Sequence, residues 1–99
     1  MNIHEFGLDK EKTIVLIHPS LVMWDYFEYV RPLLKDKYHV IIPALPGYDE
    51  EKPNENFTSV EEIADSLSRW LTEHKIKTID LLYGCSMGGS IALKILSNQ

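Results

Sequence analysis

The apolar positions of this 99-residue chain follow two periods that alternate along it. Short runs in which nearly every residue is apolar or β-branched read as strands buried on both faces, and runs with apolar residues three and four apart read as helices. Residues 13–17, Thr-Ile-Val-Leu-Ile, are the strongest strand, and residues 3–6 form a shorter one ahead of it, across the polar turn 7–12. Trp24, Phe27, Val30 and Leu34 define one helical face over residues 24–34. Pro32 lies inside that stretch. It removes a backbone donor and crowds the preceding turn, so the helix should end or kink near Arg31. His39-Val40-Ile41-Ile42 is again a buried-strand run, stopped at Pro43.

Residues 44–57 read as a loop, with Pro46-Gly47 as a turn signal and an almost wholly polar stretch at 49–56. Ser59 followed by Glu62 makes a capping box. Val60, Ile63, Ala64, Leu67 and Leu71 then recur at helical spacing as far as about His74. A strand over residues 78–83 and a helix over 87–96 complete the pattern. Strands alternating with helices predict βα units that build a mostly parallel sheet: a single α/β domain in three α/β/α layers.

The junction of the last strand and helix carries the chemistry. Gly84-Cys85-Ser86-Met87-Gly88-Gly89 reads as a nucleophile elbow, in which a strand turns at once into a helix and one strained residue stands at the apex. Small residues two before and two after the apex relieve the crowding. The apex here is Ser86, whose hydroxyl would stand at the carboxyl end of the sheet, facing the first amides of the following helix. That geometry suits an oxyanion. A bare Gly-x-Ser-x-Gly arises by chance in roughly 3% of chains this long, so its strand and helix context is what gives it weight.

A serine hydroxyl is a poor nucleophile until a base takes its proton and an acid orients that base. In elbow enzymes both partners follow the serine in the chain. The thirteen residues after Ser86 contain no His, Asp or Glu.

Taken together, three landmarks resemble the α/β-hydrolase family, over nearly the whole stretch from residue 13 to 97. The apolar strand ending in His18-Pro19-Ser20 is similar to the family's His-Gly oxyanion loop, Pro43-Ala44-Leu45-Pro46-Gly47-Tyr48 to its turn after the next strand, and residues 84–89 to its serine elbow. The resemblance implies a partial α/β-hydrolase fold in which the strand ending at His18 lies between the Ile41 strand and the elbow strand. It also implies that the backbone N–H of Met87 and one from the Ser20–Leu21 turn, with Ser20 preferred, bind the negative oxygen of a tetrahedral intermediate. Two positions depart from the family pattern. Pro19 stands where glycine is usual and offers no N–H, and Ala44 stands where aspartate is common.

Composition narrows the partners. A formal charge of −5 without any Lys/Arg cluster argues against nucleic acid and anionic membranes and suits a neutral substrate better than a polyanion, while the resemblance implies a small-molecule acyl or ester substrate. No run approaches the roughly 20 apolar residues of a membrane span, and the first residues lack the order of a signal peptide, which makes a cytoplasmic location the expectation. No His, Cys, Asp and Glu set has metal-site spacing, and the glycine run lacks the Lys-Ser/Thr pair of a phosphate loop. Neither a metal nor a cofactor is expected.

The remaining candidates have plainer readings. Cys85 lies one residue short of the apex and reads as a buried structural cysteine, while His18, the one histidine expected near Ser86, reads as structural rather than as a base. Two functions of different class follow. In the first, residues 1–99 are the amino-terminal part of a serine hydrolase, with the acid and histidine supplied beyond Gln99. In the second, the chain is a non-catalytic remnant acting by self-association or partner binding. The elbow strand, left as an apolar open edge, favours self-association of the 99 residues alone.

Overall fold

Two β-branched runs set the centre of the sheet. The computed structural model describes residues 2–18, 24–45, 59–76, 78–84 and 87–97. Its strands are β1 (Asn2–Phe6), β2 (Thr13–Ile17), β3 (His39–Ala44) and β4 (Leu81–Gly84), and its α-helices are α1 (Arg31–Leu34), α2 (Val60–Glu73) and α3 (Met87–Ser97). The sheet order is β1-β3-β2-β4, with β2 parallel to both β3 and β4 and β1 antiparallel to β3. The strand ending at His18 therefore lies between the Ile41 strand and the elbow strand, as the family resemblance implies.

Alternation along the two central strands divides the core into two clusters, one on each face of the sheet. Val15, Ile17 and Ile41 pack with Ile63, Ala64, Leu67 and Leu71 of α2 and Ile91, Ala92 and Ile95 of α3. Ile14, Leu16, Val40 and Ile42 face the other way, against Phe27 and the partly buried Leu34. The result is the three-layer α/β/α arrangement, with β2 and β3 buried on both faces. At roughly 1.5–3 kcal/mol for each fully buried large apolar side chain, these clusters are the main stabilising term.

Three elements differ from the sequence pattern, each for a local reason. The single helix expected over 24–34 is a 3-10 turn, Trp24–Phe27, followed by the short α1. Pro32 lies in the first turn of α1, where no intrahelical bond needs its missing N–H, so it opens the second segment instead of ending the first. Of the predicted face, Phe27 is buried and Val30 is exposed.

The third strand runs on through Pro43 to Ala44 instead of stopping before the proline. The His39 N–H points toward β2, donating to the Lys12 carbonyl at 2.7 Å. Alternation then aims the missing donor of Pro43 to the same side, beyond Val15↔Ile41, the last β2–β3 pair in the register. On the β1 side, Pro43 pairs with Ile3.

The elbow strand begins at Leu81, not Thr78. Asp80 closes its start by a side-chain route: its carboxylate accepts the Thr13 N–H at 2.7 Å while its own N–H donates to the Thr13 carbonyl at 2.8 Å.

The capping box at α2 is formed, Ser59 Oγ accepting the Glu62 N–H at 3.1 Å. The far end of the helix carries a second device that its sequence does not announce. Ile76 N–H donates to Leu71 O at 2.9 Å and Lys75 N–H to Thr72 O at 3.0 Å, the two bonds of a Schellman motif, with Lys75 at φ 59° where glycine is usual.

Two stability measurements check these assignments. Asp80→Ala leaves the buried Thr13 amide without its acceptor and should lower the free energy of unfolding by about 1–3 kcal/mol, with Asp80→Asn losing less. Lys75→Gly relieves a left-handed backbone at some entropic expense and should raise stability by about 0.5–1 kcal/mol in denaturant unfolding.

Candidate active site

The elbow is bounded by well-defined neighbours. β4 ends at Gly84 and α3 begins at Met87, so two residues make the whole connection from strand to helix. Cys85 and Ser86 lie outside the described residues, and the site is built from what surrounds them. So abrupt a turn brings the first turn of α3 back against the strand end. A Cβ on Gly84 would run into the carbonyl oxygen of Gly88. On Gly88 it would stand 2.6 Å from the Ile17 oxygen and 2.8 Å from the His18 oxygen, closer than side-chain carbons come to backbone. The glycines two before and two after Ser86 are therefore required by packing, the relation expected from the sequence. The third, Gly89, is different: its Cβ would make an ordinary contact, 3.4 Å from the Gly84 oxygen.

The other half of the site hangs from the end of β2. Pro19, Ser20 and Leu21 lie outside the described residues, but both ends of their segment are held close to the elbow. On one side, the Ile17–His18 backbone abuts Gly88. On the other, Phe27 packs edge-to-face on Tyr83, the residue before Gly84, with ring centroids 5.9 Å apart and planes at 84°. His18 and Phe27, described residues on either side of that segment, thus lie against the first turn of α3 and against β4 respectively. The Met87 amide, at the start of α3, is one of the first-turn N–H groups that have no acceptor within a helix.

His18 is wholly buried, and its Nε2 accepts the backbone N–H of Leu45 at 3.0 Å. A neutral imidazole has one acceptor nitrogen, so the ring is held with its proton on Nδ1, and its lone pair is already engaged. It is not available to take a proton from a serine. The sequence gives no sign of this bond, because the partner is a main-chain amide 27 residues away.

The other histidines lie elsewhere. His39 Nε2 bonds Glu5 Oε2 at 2.8 Å between β3 and β1, and His74 donates from Nδ1 to Trp70 O at 2.9 Å while stacking on the Trp70 ring at the end of α2. A groove of about 580 Å³, lined by Glu5, Glu11, Thr13, His39, His74 and Thr78 among others, opens at the amino ends of β2 and β3. That is the opposite end of the sheet from the elbow. Near it Lys10 hydrogen-bonds the exposed Asp9 carboxyl at 3.1 Å and holds it below the usual carboxylate range. The Pro46-Gly47 turn and the acidic stretch 49–51 lie outside the described residues. Among the described residues no three His, Cys, Asp or Glu side chains converge as a metal site, and no helix is long and apolar enough to cross a membrane.

Comparison with known proteins extends the likeness beyond the elbow. The chain is 30% identical over 97 residues to an uncharacterized hydrolase of Saccharomyces cerevisiae, covering 94% of this chain and 33% of that protein. A solved protein of Desulfitobacterium hafniense, assigned to the alpha/beta hydrolase family, superposes with a TM-score of 0.87 at 33% identity, over 95% of this chain and 38% of its own. An esterase from Exiguobacterium antarcticum superposes at 0.77 with 26% identity, over 98% of this chain and 35% of the esterase. The chain thus spans about a third of each. The model of the alpha/beta hydrolase family matches residues 14–97, the stretch that holds the central strands, the close-packed glycines and the helix behind them, and this chain belongs to that family.

Proposed function

We propose that this chain carries the nucleophile part of a serine hydrolase acting on small esters or similar acyl compounds, with Ser86 as the nucleophile. The observation that carries the reading is the pair of close-packed glycines, Gly84 and Gly88, placed symmetrically about Ser86 where β4 turns into α3. A turn so tight has few uses other than presenting its apex. The ester class is supported by the likeness to the Exiguobacterium esterase.

In this reading the Ser86 hydroxyl attacks the acyl carbonyl and a histidine takes its proton. The carbonyl oxygen becomes an oxyanion held by the amides of Met87 and Ser20. Collapse expels the alcohol, which receives the proton, and water then hydrolyses the acyl-enzyme by the same steps. Each of the two amides is worth about 2.7–4 kcal/mol of barrier, by analogy with single oxyanion donors elsewhere. The histidine and the acid come from sequence beyond Gln99, because the lone pair of His18 is taken by Leu45 and residues 87–99 contain no acidic residue or histidine. Serine, histidine and acid carry all the proton transfers, so the reaction calls for no metal or cofactor.

The 99 residues alone have a second property. β4 is paired by β2 on one side, and its Leu81 and Tyr83 are 52% and 44% exposed. An apolar strand edge of this kind, without a charge or proline to block it, pairs with another chain.

Two experiments test these readings. A fluorophosphonate probe should label the protein bearing its natural downstream sequence, lose that label in Ser86→Ala, and label the 99-residue chain weakly or not at all. Equal labelling after Ser86→Ala would remove Ser86 from the mechanism. In sedimentation velocity the 99-residue chain should run as dimers or larger species, whereas a dilute, cooperatively melting monomer would show that the β4 edge is not adhesive.

A further inference from the structure

The groove of about 580 Å³ at the amino ends of β2 and β3 is as large as many small-molecule sites, and its surroundings are firmly held. Thr13 and His39, the first residues of those strands, pair across the ladder and form a buried floor. Asp80 accepts the Thr13 N–H and donates to its carbonyl, and His39 Nε2 meets Glu5 Oε2 at 2.8 Å. An ionised Glu5 can only accept, so Nε2 carries the proton. The walls are fixed by main-chain bonds. On one side the turn after β1, closed by Lys10 N–H on Gly7 O at 3.0 Å, contributes Leu8, Lys10 and Glu11. On the other, the Schellman turn after α2 contributes Lys75 and Ile76.

Lys75 is the unexpected member of this lining. It holds a left-handed backbone, φ 59°, where glycine would serve the turn without strain. Strain kept at a residue that lines a recess points to a use for its side chain there. The charges of the lining come in opposed pairs, Lys10 and Lys75 against Glu5 and Glu11, beside the apolar Leu8 and Ile76. A ligand of one sign would meet two like charges, and an uncharged apolar one would strip water from four ionic groups without replacing it. We propose that the groove binds a small zwitterion of the amino-acid type with an apolar side chain, its carboxylate toward the lysines, its ammonium toward the glutamates and its side chain on Leu8 and Ile76. The bond of Lys10 to the exposed Asp9 carboxyl is a surface contact, weak enough to be exchanged for the ligand. The fixed floor and walls leave little to be ordered on binding, which favours affinity. This site lies at the opposite end of the sheet from the elbow, and the proposal does not rest on the serine-hydrolase reading.

The test is an NMR titration of the protein with its natural downstream sequence, ¹⁵N-labelled, with L-leucine as the probe. The amides of Thr13, His39, Lys75 and Ile76 should shift and saturate below about 10 mM ligand. N-acetyl-leucine, which lacks the ammonium, and leucinamide, which lacks the carboxylate, should each bind at least about 10-fold more weakly, since each leaves one pair of lining charges unanswered. Lys75→Gly and Glu11→Gln should each weaken leucine by about 3- to 5-fold, the scale of an exposed ion pair. Lys75→Gly is the sharper variant, because the turn is expected to be more stable with glycine and a loss of affinity there is not a loss of fold. Failure of those amides to shift, equal binding of leucine and either half-charged analogue, or parent-like affinity in Lys75→Gly would each overturn the proposal.

Discussion

Everything at the carboxyl end of this sheet depends on one close approach, that of the first turn of α3 to the end of β2. A helix that starts two residues after its strand has to fold back over the sheet, and the adjoining strand is directly underneath. Gly88 allows the contact because it brings no Cβ within reach of the Ile17 and His18 oxygens. Gly84 does the same for the strand that feeds the turn. The apolar runs of β2 and β3, buried on both faces between α2 and α3 on one side and the Phe27 turn on the other, hold the platform rigid beneath that contact. Core packing and this contact are therefore one structure: the residues that stabilise the fold also set how closely the first turn of α3 approaches the end of β2.

Much of this was legible in the sequence. The run Thr13–Ile17 is a strand with the same bounds, the Ser59–Glu62 box caps α2, and the strand order follows from the resemblance of the three landmarks. Periodicity reports burial, and burial is what these elements share. Pattern and structure part where a single residue acts through its backbone. Pro32 and Pro43 both have the pattern of terminators, yet one stands in a helix first turn and the other where its absent donor points past the ladder, and neither position can be told from composition. Lys75 occupies a left-handed cap that glycine would have advertised. Asp80 replaces a ladder bond with its carboxylate, and the elbow strand begins three residues later than its sequence pattern suggests.

At the candidate site the glycine spacing was readable because steric necessity leaves a mark on residue identity. The engagement of His18 was not, since a main-chain amide as partner leaves no mark at all. That bond changes the chemical reading of the chain. It commits the acceptor nitrogen of His18 to a main-chain amide, so that in the proposed reading this stretch supplies the nucleophile and oxyanion donors while the proton carriers come from elsewhere. The chain covers about a third of its relatives, and this division of labour is consistent with that share.

If the approach of α3 to β2 at Gly88 sets where the proposed nucleophile stands, two neighbouring glycines should differ in what an added side chain does there. The rate of acylation by a fluorophosphonate should be measured for Gly88→Ala and Gly89→Ala in the protein with its natural continuation. A Cβ at 88 meets backbone at 2.6 Å and one at 89 meets only an ordinary contact, so Gly88→Ala should acylate at least about 10-fold more slowly while Gly89→Ala stays near the parent rate. Parent-like acylation of a folded Gly88→Ala variant would contradict the account, because the site would then not depend on that contact.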